Sequence, residues 1–246
     1  MKKQFQVIYA SEENNQNEIH WLYREEANAM INAGILAGTG PLDTATELMQ
    51  RGFTKYDLEN YPNDERFINR FEHQISCLFM SCYYPHIADL SIETFFVDEL
   101  NDDVPKLIQD KGWSKAFIKK DIKALEHIEE GKSVWPNTPI EEIKKLYDEH
   151  MNTFEGKYAI RKFIEPEIIE KEERYWVLNG NIYHRNNEIP DVVKEAAKRL
   201  DKLGSRYYTI DATPDFVVEV NPGESSDRHA VNSAELFASW IKKEFL

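Results

Sequence analysis

The segment Thr209-Ile-Asp-Ala-Thr-Pro-Asp-Phe-Val-Val-Glu-Val-Asn-Pro222 constrains the fold more than any other part of this chain. Two stretches rich in β-branched residues flank a turn sequence with Pro214 and Asp215, which predicts a β-hairpin. Because side chains alternate along a strand, Glu219 and Asn221 are predicted to lie side by side on one face. The hairpin therefore gathers polar oxygen atoms at one place.

The length of the turn decides whether Asp211 joins that face. A two-residue turn puts it on the opposite face, whereas a three-residue turn pairs Asp211 with Val217 and leaves it diagonal to Glu219, with Cβ atoms roughly 7 Å apart. The carboxylates and the Asn221 amide then offer the hard oxygen ligands that magnesium prefers. The alternative is structural, with Asp211 as a turn residue and Glu219 as a solvated position. We favour the metal site, because an acid flanked by valines is costly to bury without a cation.

The hairpin resembles the C-terminal part of the ATP-grasp superfamily of carboxylate–amine ligases, which carries an Asp on one strand and Glu-x-Asn-Pro on the next. Three upstream segments extend the resemblance in the expected order. They match the strand that ends in a phosphate-binding lysine, the adenine hinge and the Glu-x-Arg strand element: Ala116–Lys119, Tyr158–Glu165 and Lys171–Gly180. The resemblance covers roughly residues 112 to 246 and is closest to small phage- and bacterium-associated ATP-grasp proteins of uncertain substrate.

The resemblance implies an α/β (α+β) chain in two parts. Residues 112–246 are expected to form the ATP-grasp-like nucleotide-binding domain, and residues 1–111 a smaller N-terminal α/β domain of the pre-ATP-grasp kind. A chain of 246 residues is long enough for two such domains. Periodicity predicts strands at 5–9 and 94–97 and helices at about 23–33, 42–51, 64–80, 139–150, 190–204 and 233–243.

The resemblance also implies a role for particular residues. The implied magnesium ligands are Asp211, Glu219 and Asn221. The implied ATP-binding residues are Lys119, Arg161, Phe163, Ile164, Glu165 and Glu173. Arg174 is expected to grip a phosphate or carboxylate, Arg228 to clamp a substrate carboxylate, and His229 to take a proton from the amine. The structural alternative for the run 223–229 is a capped turn into the last helix, and His184 is expected to have no chemical part.

Two features depart from the family pattern. The hinge begins with Arg161 and Lys162, where the family often has acidic residues. Between Lys119 and Arg161 there is no Gly-rich flap of the usual kind, and Gly131-Lys132-Ser133 lacks the upstream glycine and strand of a phosphate-binding P-loop. The adenine contacts and the phosphate cover are therefore the parts that the resemblance explains least.

The amino-acid composition limits the classes of partner that the chain is expected to bind. With 44 acidic and 30 basic residues the formal charge is −14, which opposes nonspecific binding to nucleic acid. A local cluster of Lys115, Lys119, Lys120 and Lys123 marks either a phosphate site or a solvated surface. Cys77 and Cys82 lie in an apolar stretch that predicts buried thiols in a reducing compartment. No apolar run long enough to span a bilayer is present, and we expect a cytoplasmic protein.

The implied function is an ATP- and Mg²⁺-dependent ligase that joins a carboxylate to an amine through an acyl phosphate. Small molecules, peptides and proteins are all open as substrates. The alternative is a non-catalytic ATP-grasp-like binding, immunity or regulatory protein that acts on a protein partner, which the missing flap and the basic hinge favour. The complete Asp211, Glu219 and Asn221 set favours the ligase. Kinase-like or nucleic-acid ligase chemistry would need a basic groove that the composition does not indicate.

Overall fold

The computed structural model describes residues 4–53, 64–122, 131–150, 156–228 and 232–246. Within them the strands are β1 (Phe5–Tyr9), β2 (Ser11–Glu12), β3 (Asn15–Ile19), β4 (Leu36–Gly38), β5 (Glu47–Arg51), β6 (Thr94–Val97), β7 (Ala116–Lys120), β8 (Val134–Trp135), β9 (Tyr158–Lys162), β10 (Glu173–Leu178), β11 (Asn181–Tyr183), β12 (Tyr207–Ala212) and β13 (Val217–Pro222). The helices are α1 (Arg24–Asn32), α2 (Phe71–Leu78), α3 (Met80–Ile87), α4 (Val104–Asp110), α5 (Ile140–His150), α6 (Pro166–Ile169), α7 (Asp191–Leu200) and α8 (Ala234–Phe245).

The described strands form three larger sheets and one small hairpin. The N-terminal sheet is parallel, in the order β4-β1-β5. A middle sheet, β6-β9-β7-β8, and a C-terminal sheet, β11-β10-β12-β13, are antiparallel, and β2 pairs with β3. Mixed parallel and antiparallel pairing with helices between confirms the expected α/β (α+β) class.

The C-terminal sheet separates two hydrophobic cores. On one face Trp176 and Tyr207 pack with Phe237 of α8 and with residues of the N-terminal sheet. On the other face Ile210 and Val220 pack against α3 and α7. Burial on both faces holds the sheet rigidly, so side chains at its ends keep fixed positions.

Helix α7 packs behind the predicted site hairpin, as its sequence pattern indicates. Its apolar stripe joins the same core as Ile210 and Val220 and consists of Val193, Ala196, Ala197 and Leu200. Lys198 and Arg199 occupy the last turn, where cations favour the helix dipole. The chain then turns at Gly204, which has a φ of +77°, a conformation open to glycine at little cost.

A two-residue turn joins β10 to β11. Leu178 pairs with Asn181, and the two residues between them, Asn179 and Gly180, have φ values of +50° and +80°. Positive φ at both positions matches the twist of the flanking strands, and Asn-Gly is the residue pair that adopts it most readily. This turn sets the register of β10 with β11 at the end of β10 that lies away from Arg174.

Two sequence-based assignments of secondary structure are wrong. The helix expected at 42–51 is instead strand β5, which runs parallel to β1. Four successive residues of β5, Leu48 to Arg51, are buried, so the strand shows no alternation, and periodicity cannot distinguish such a short buried run from a helix. The helix expected at 64–80 is confined to α2, because the backbone is extended at Phe79 before α3 begins.

Strand β6 and Cys82 also differ from the expected arrangement. The sequence pattern groups β6 with the N-terminal region, whereas it pairs with β9 of the middle sheet. The division at residues 111 and 112 stays a prediction.

Cys77 is buried, but Cys82 is exposed on the outer side of α3, and both thiols are free. Across the described ranges, no helix combines the length and apolarity needed to cross a bilayer.

Candidate nucleotide and metal site

The β12–β13 hairpin contains a β-bulge that the sequence did not predict. Ala212 pairs with Val217, but Asp211 pairs with Glu219, so the register shifts between the two pairs. Asp211 therefore lies directly opposite Glu219, not diagonal to it. The bulge also turns Val217 into the core that contains Val220, although alternation placed Val217 on the Glu219 face.

Asp211, Glu219 and Asn221 lie together, as the hairpin pattern predicts. Nδ2 of Asn221 donates to Oδ2 of Asp211 and to Oε2 of Glu219, each at 3.2 Å. Asp211 is buried and Glu219 is partly exposed. The three side chains form one polar cluster at the end of the C-terminal sheet, which we call the carboxylate cluster.

Two cations neutralise the carboxylate cluster. The buried ammonium of Lys119, on β7, donates to Oε1 of Glu219. The guanidinium of Arg174, on β10, binds Asp211 in a fork, with Nε to Oδ1 and Nη2 to Oδ2 both at 2.7 Å. Its Nη1 donates to Oδ1 of Asp227 at 2.9 Å. The cluster is thus closed by internal ion pairs whose cations are the groups expected to bind phosphate.

The charges around Glu219 set its protonation state. Burial acts to raise its pKa, but the ammonium of Lys119 and the guanidinium of Arg161 more than offset this, and the pKa of Glu219 lies below its ordinary value. A carboxylate that stays ionised in this position is suited to holding a cation at neutral pH.

Glu172 lies on the cluster side, and Glu173 does not. Glu173 contacts Arg185 at 2.8 Å and His184 at 3.3 Å, on the opposite face of β10 from Arg174, and its ATP-binding role stays a prediction. Burial, followed by the charges of Asp211 and Glu219, raises the pKa of Glu172 to about 7. The sequence held a signal for this, since Glu172 is two residues from Arg174 and shares its face.

A cavity of about 540 Å³ opens between the middle sheet and β13. Its apolar walls include Ile92, Phe117, Val134, Phe163, Ile164 and Val218. Among its described lining residues the charged ones are Arg161 and Lys162. Three of the predicted hinge residues, Arg161, Phe163 and Ile164, therefore line one cavity, whereas Glu165 does not line it and pairs with Lys115 at 3.8 Å.

Other predicted residues lie apart from the cluster. Arg228 binds Glu25 of α1 and the carbonyl of Asn232, so the structure does not place it as a free substrate clamp. Lys120 packs over the ring of Tyr158, on the opposite face of β7 from Lys119. His229 and Lys123 lie outside the described residues. For all of these the functional roles stay predictions.

Arg51 is a residue near the site that sequence reasoning missed. It is fully buried, forms an ion pair with Glu26 at 2.7 Å, and donates from Nη1 to the carbonyls of Gly223 and Ser226. These carbonyls belong to the turn that follows β13, so the N-terminal sheet holds the chain between the carboxylate cluster and Asp227. No local pattern indicates this, because the partners are more than 170 residues apart in sequence.

The carboxylate cluster has the chemistry that magnesium requires. The carboxylates of Asp211 and Glu219 face each other and offer hard oxygen atoms, and the Asn221 amide touches both through Nδ2, so its Oδ1 would reach an ion there only after the amide rotates. Within the described part of the chain, no group of three or more His, Cys, Asp or Glu residues is arranged to hold a metal by itself. Two carboxylates and an amide fit an ion that completes its coordination with water and phosphate, as magnesium does.

The middle and C-terminal sheets flank an apolar cavity, and the Lys119–Glu219 ion pair joins the same two sheets, an arrangement that the resemblance to the ATP-grasp class implies. Comparison with solved structures shows the same class, so the chain has the ATP-grasp fold, as the sequence resemblance predicted. No protein-family model matches the chain.

Three solved structures illustrate the likeness. D-cycloserine synthetase DcsG is 14% identical, with a TM-score of 0.62 over 96% of this chain and 99% of that one. The macrocyclase MdnC of Microcystis aeruginosa, bound to its precursor peptide MdnA, is 11% identical with a TM-score of 0.60 over 97% and 99%. The ATP-grasp ligase PsnB, in complex with a minimal precursor, Mg and ADP, is 9% identical with a TM-score of 0.60 over 100% and 99%.

One curated relative matches in sequence. Increased recombination centers protein 6 of Kluyveromyces lactis is 28% identical over 128 residues, which are 50% of this chain and 49% of that protein. The chain therefore spans about half the length of the curated relative that it matches.

Proposed function

We propose that the protein is an ATP- and Mg²⁺-dependent ligase that joins a carboxylate to an amine. One observation carries the proposal: Asp211, Glu219 and Asn221 form a single cluster whose neutralising cations are Lys119 and Arg174. A cluster that only stabilised the fold would not require a ligand-sized cavity beside it. The 540 Å³ cavity has the size of a small-molecule site and is mostly apolar, as a nucleotide base requires.

The nucleotide fits the site in one direction. The base lies in the apolar cavity beside Phe163 and Ile164, and the phosphates extend towards the carboxylate cluster. Asp211, Glu219 and Asn221 would hold magnesium, which neutralises charge on the phosphates when bound. Lys119 then exchanges Glu219 for a phosphate oxygen, and Arg174 offers its fork to a phosphate or to the substrate carboxylate.

The reaction needs positioning and charge neutralisation more than a protein nucleophile. A substrate carboxylate attacks the γ-phosphorus, the bond from that phosphorus to the bridging oxygen breaks, and ADP leaves. An amine then attacks the acyl carbon, the bond from carbon to the phosphate oxygen breaks, and the nitrogen loses a proton. Lys119 and Arg174 lie where negative charge accumulates in the first step, and donors fixed in advance stabilise such charge strongly.

The structural neighbours support two candidate substrate classes. MdnC and PsnB are captured with precursor peptides, so we propose a carboxylate on a peptide or protein as the donor, with an amine as the acceptor. A small-molecule donor is the second possibility, because DcsG is a synthetase of a small molecule. The free thiols of Cys77 and Cys82 are consistent with action in the cytoplasm.

The proposal is tested by release of ADP from ATP in the presence of pooled amino acids and peptides. We expect stimulation by one pool, a product that has lost one water relative to its two substrates by mass spectrometry, and loss of both signals in Asp211→Asn. Binding of ATP without ADP release in any pool would favour the alternative, a non-catalytic protein that uses the same fold to act on a partner. Equal ADP release by the Asp211→Asn variant would contradict the proposal.

A further inference from the structure

Arg161 is a buried cation that forms no direct ion pair with a carboxylate of the described residues. It is 5% exposed, and its one described hydrogen bond runs from Nη2 to the carbonyl of Val218, at 2.7 Å. Its Nε has no hydrogen-bond partner within the described ranges. The two other cations of the site differ, because Lys119 and Arg174 each bind a carboxylate.

The position of Arg161 links the cavity to the carboxylate cluster. Its side chain lines the apolar cavity, and its Nη2 donates to the carbonyl of Val218, the residue before Glu219. In β9 it alternates with Ile160, which faces the core of the middle sheet, so Arg161 faces the C-terminal sheet together with Lys119 of the neighbouring strand. It therefore lies between the place of the base and the place of the metal.

A buried guanidinium without a carboxylate is costly to the folded protein. Burying a charge is tolerated when an ion pair and hydrogen bonds compensate for lost hydration, and one carbonyl does so only in part. An anionic ligand supplies the missing compensation. The ligand class that fits an apolar cavity with a cation at its inner side is an aromatic base that carries a phosphate.

We propose that Arg161 binds the phosphate nearest the base of the nucleotide, and does not read the base or the ribose. This role rests on the proposed ATP-binding function. It pairs the first phosphate of the nucleotide with the side chain of Arg161. It also accounts for the basic hinge. The family often has acidic residues at the start of the hinge. Arg161 is a cation in this position, so it is suited to binding the first phosphate and not an adenine or ribose edge.

Calorimetry with adenosine, AMP and Mg²⁺·ADP tests the assignment on wild type and Arg161→Met. We expect the variant to lower the affinities for AMP and for ADP by a similar factor, about tenfold or more, because a charge-assisted hydrogen bond is lost. The affinity for adenosine should change less than about twofold, since adenosine has no phosphate. Lys157→Met removes the same charge from an exposed position outside the cavity and should leave all three affinities unchanged.

Unfolding separates a ligand-binding role from a structural one. Without nucleotide, Arg161→Met should unfold at a temperature equal to or above that of wild type, because the variant no longer buries a guanidinium that lacks a direct ion pair. A marked fall in the unfolding temperature, an equal loss of adenosine and AMP affinity, or a loss confined to ADP would overturn the assignment. Unchanged affinities in the variant would overturn the assignment of Arg161 as well. In that case ADP binding by wild type would still support the proposed function. If wild type binds no nucleotide, both fail.

Discussion

At the residue scale, the site is a set of exchangeable ion pairs. Lys119 binds Glu219 and Arg174 binds Asp211, so each of the two carboxylates proposed to hold the metal is paired with a cation proposed to bind the nucleotide or substrate. A metal that binds without nucleotide must displace Lys119 or Arg174 from its carboxylate. A nucleotide that binds without metal must break the same ion pairs and leave the carboxylates without a cation. Together they satisfy all four groups, so metal and nucleotide should bind cooperatively.

Lys119→Met should have opposite effects on two binding reactions. Mg²⁺ without nucleotide should bind severalfold more tightly, because Glu219 loses its competing ammonium, whereas Mg²⁺·ATP should bind about tenfold more weakly because a phosphate contact is lost. Titration calorimetry measures both. Lys120→Met is the matched control, since Lys120 is the next residue and faces the opposite side of β7. A fall in both affinities would contradict the exchange.

At the element scale, the sequence predicted which residues share the hairpin face but not how the strands pair. Period-two alternation placed Glu219 beside Asn221, and the structure agrees. The bulge that sets Asp211 opposite Glu219 depends on how Val217 packs in the core, which no local pattern contains. Strand β5 was missed for a related reason, because its burial comes from elements far away in sequence.

Gly223 follows β13, and replacing it with alanine tests how tightly the end of that strand is packed. A Cβ there would lie 2.6 Å from ring atoms of Tyr207, which is fully buried and cannot move away. Gly223→Ala should therefore destabilise the protein by about 1–3 kcal/mol, as overpacking does. Denaturant unfolding measures the change. Gly40→Ala, where a Cβ would meet nothing within 4 Å, is the control, and equal stabilities of the two variants would refute the packing.

At the scale of the whole molecule, buried polar contacts tie the N-terminal sheet to the site. Arg51 binds the carbonyls of Gly223 and Ser226, and the amide of Gly52 donates to the carbonyl of Glu224 at 2.8 Å. The sequence resemblance predicted the ATP-grasp fold from the C-terminal half, but these contacts join residues with no sequence relation. They position the turn that carries Asp227, which contacts Arg174.

Glu224 makes the stability of this connection depend on pH. Burial raises its pKa to about 7 from an ordinary value of 4.5. The folded protein keeps a proton that the unfolded chain has lost, so this contribution to stability is full below pH 4.5 and is lost as the pH rises through about 7. Glu224→Gln should show a smaller decline in unfolding free energy between these pH values than wild type. The exposed Glu13→Gln is the control, and an unchanged decline in Glu224→Gln would contradict the assignment.

Asp211, Glu219 and Asn221 are proposed to hold magnesium for a bound nucleotide. Calorimetric titration of ATP into wild type and Glu219→Gln, with and without Mg²⁺, tests it most directly. The account predicts that wild type binds ATP at least about tenfold more tightly with Mg²⁺ than without it, and that Glu219→Gln loses most of this gain. Absence of ATP binding in wild type, or an undiminished effect of Mg²⁺ in the variant, would contradict it.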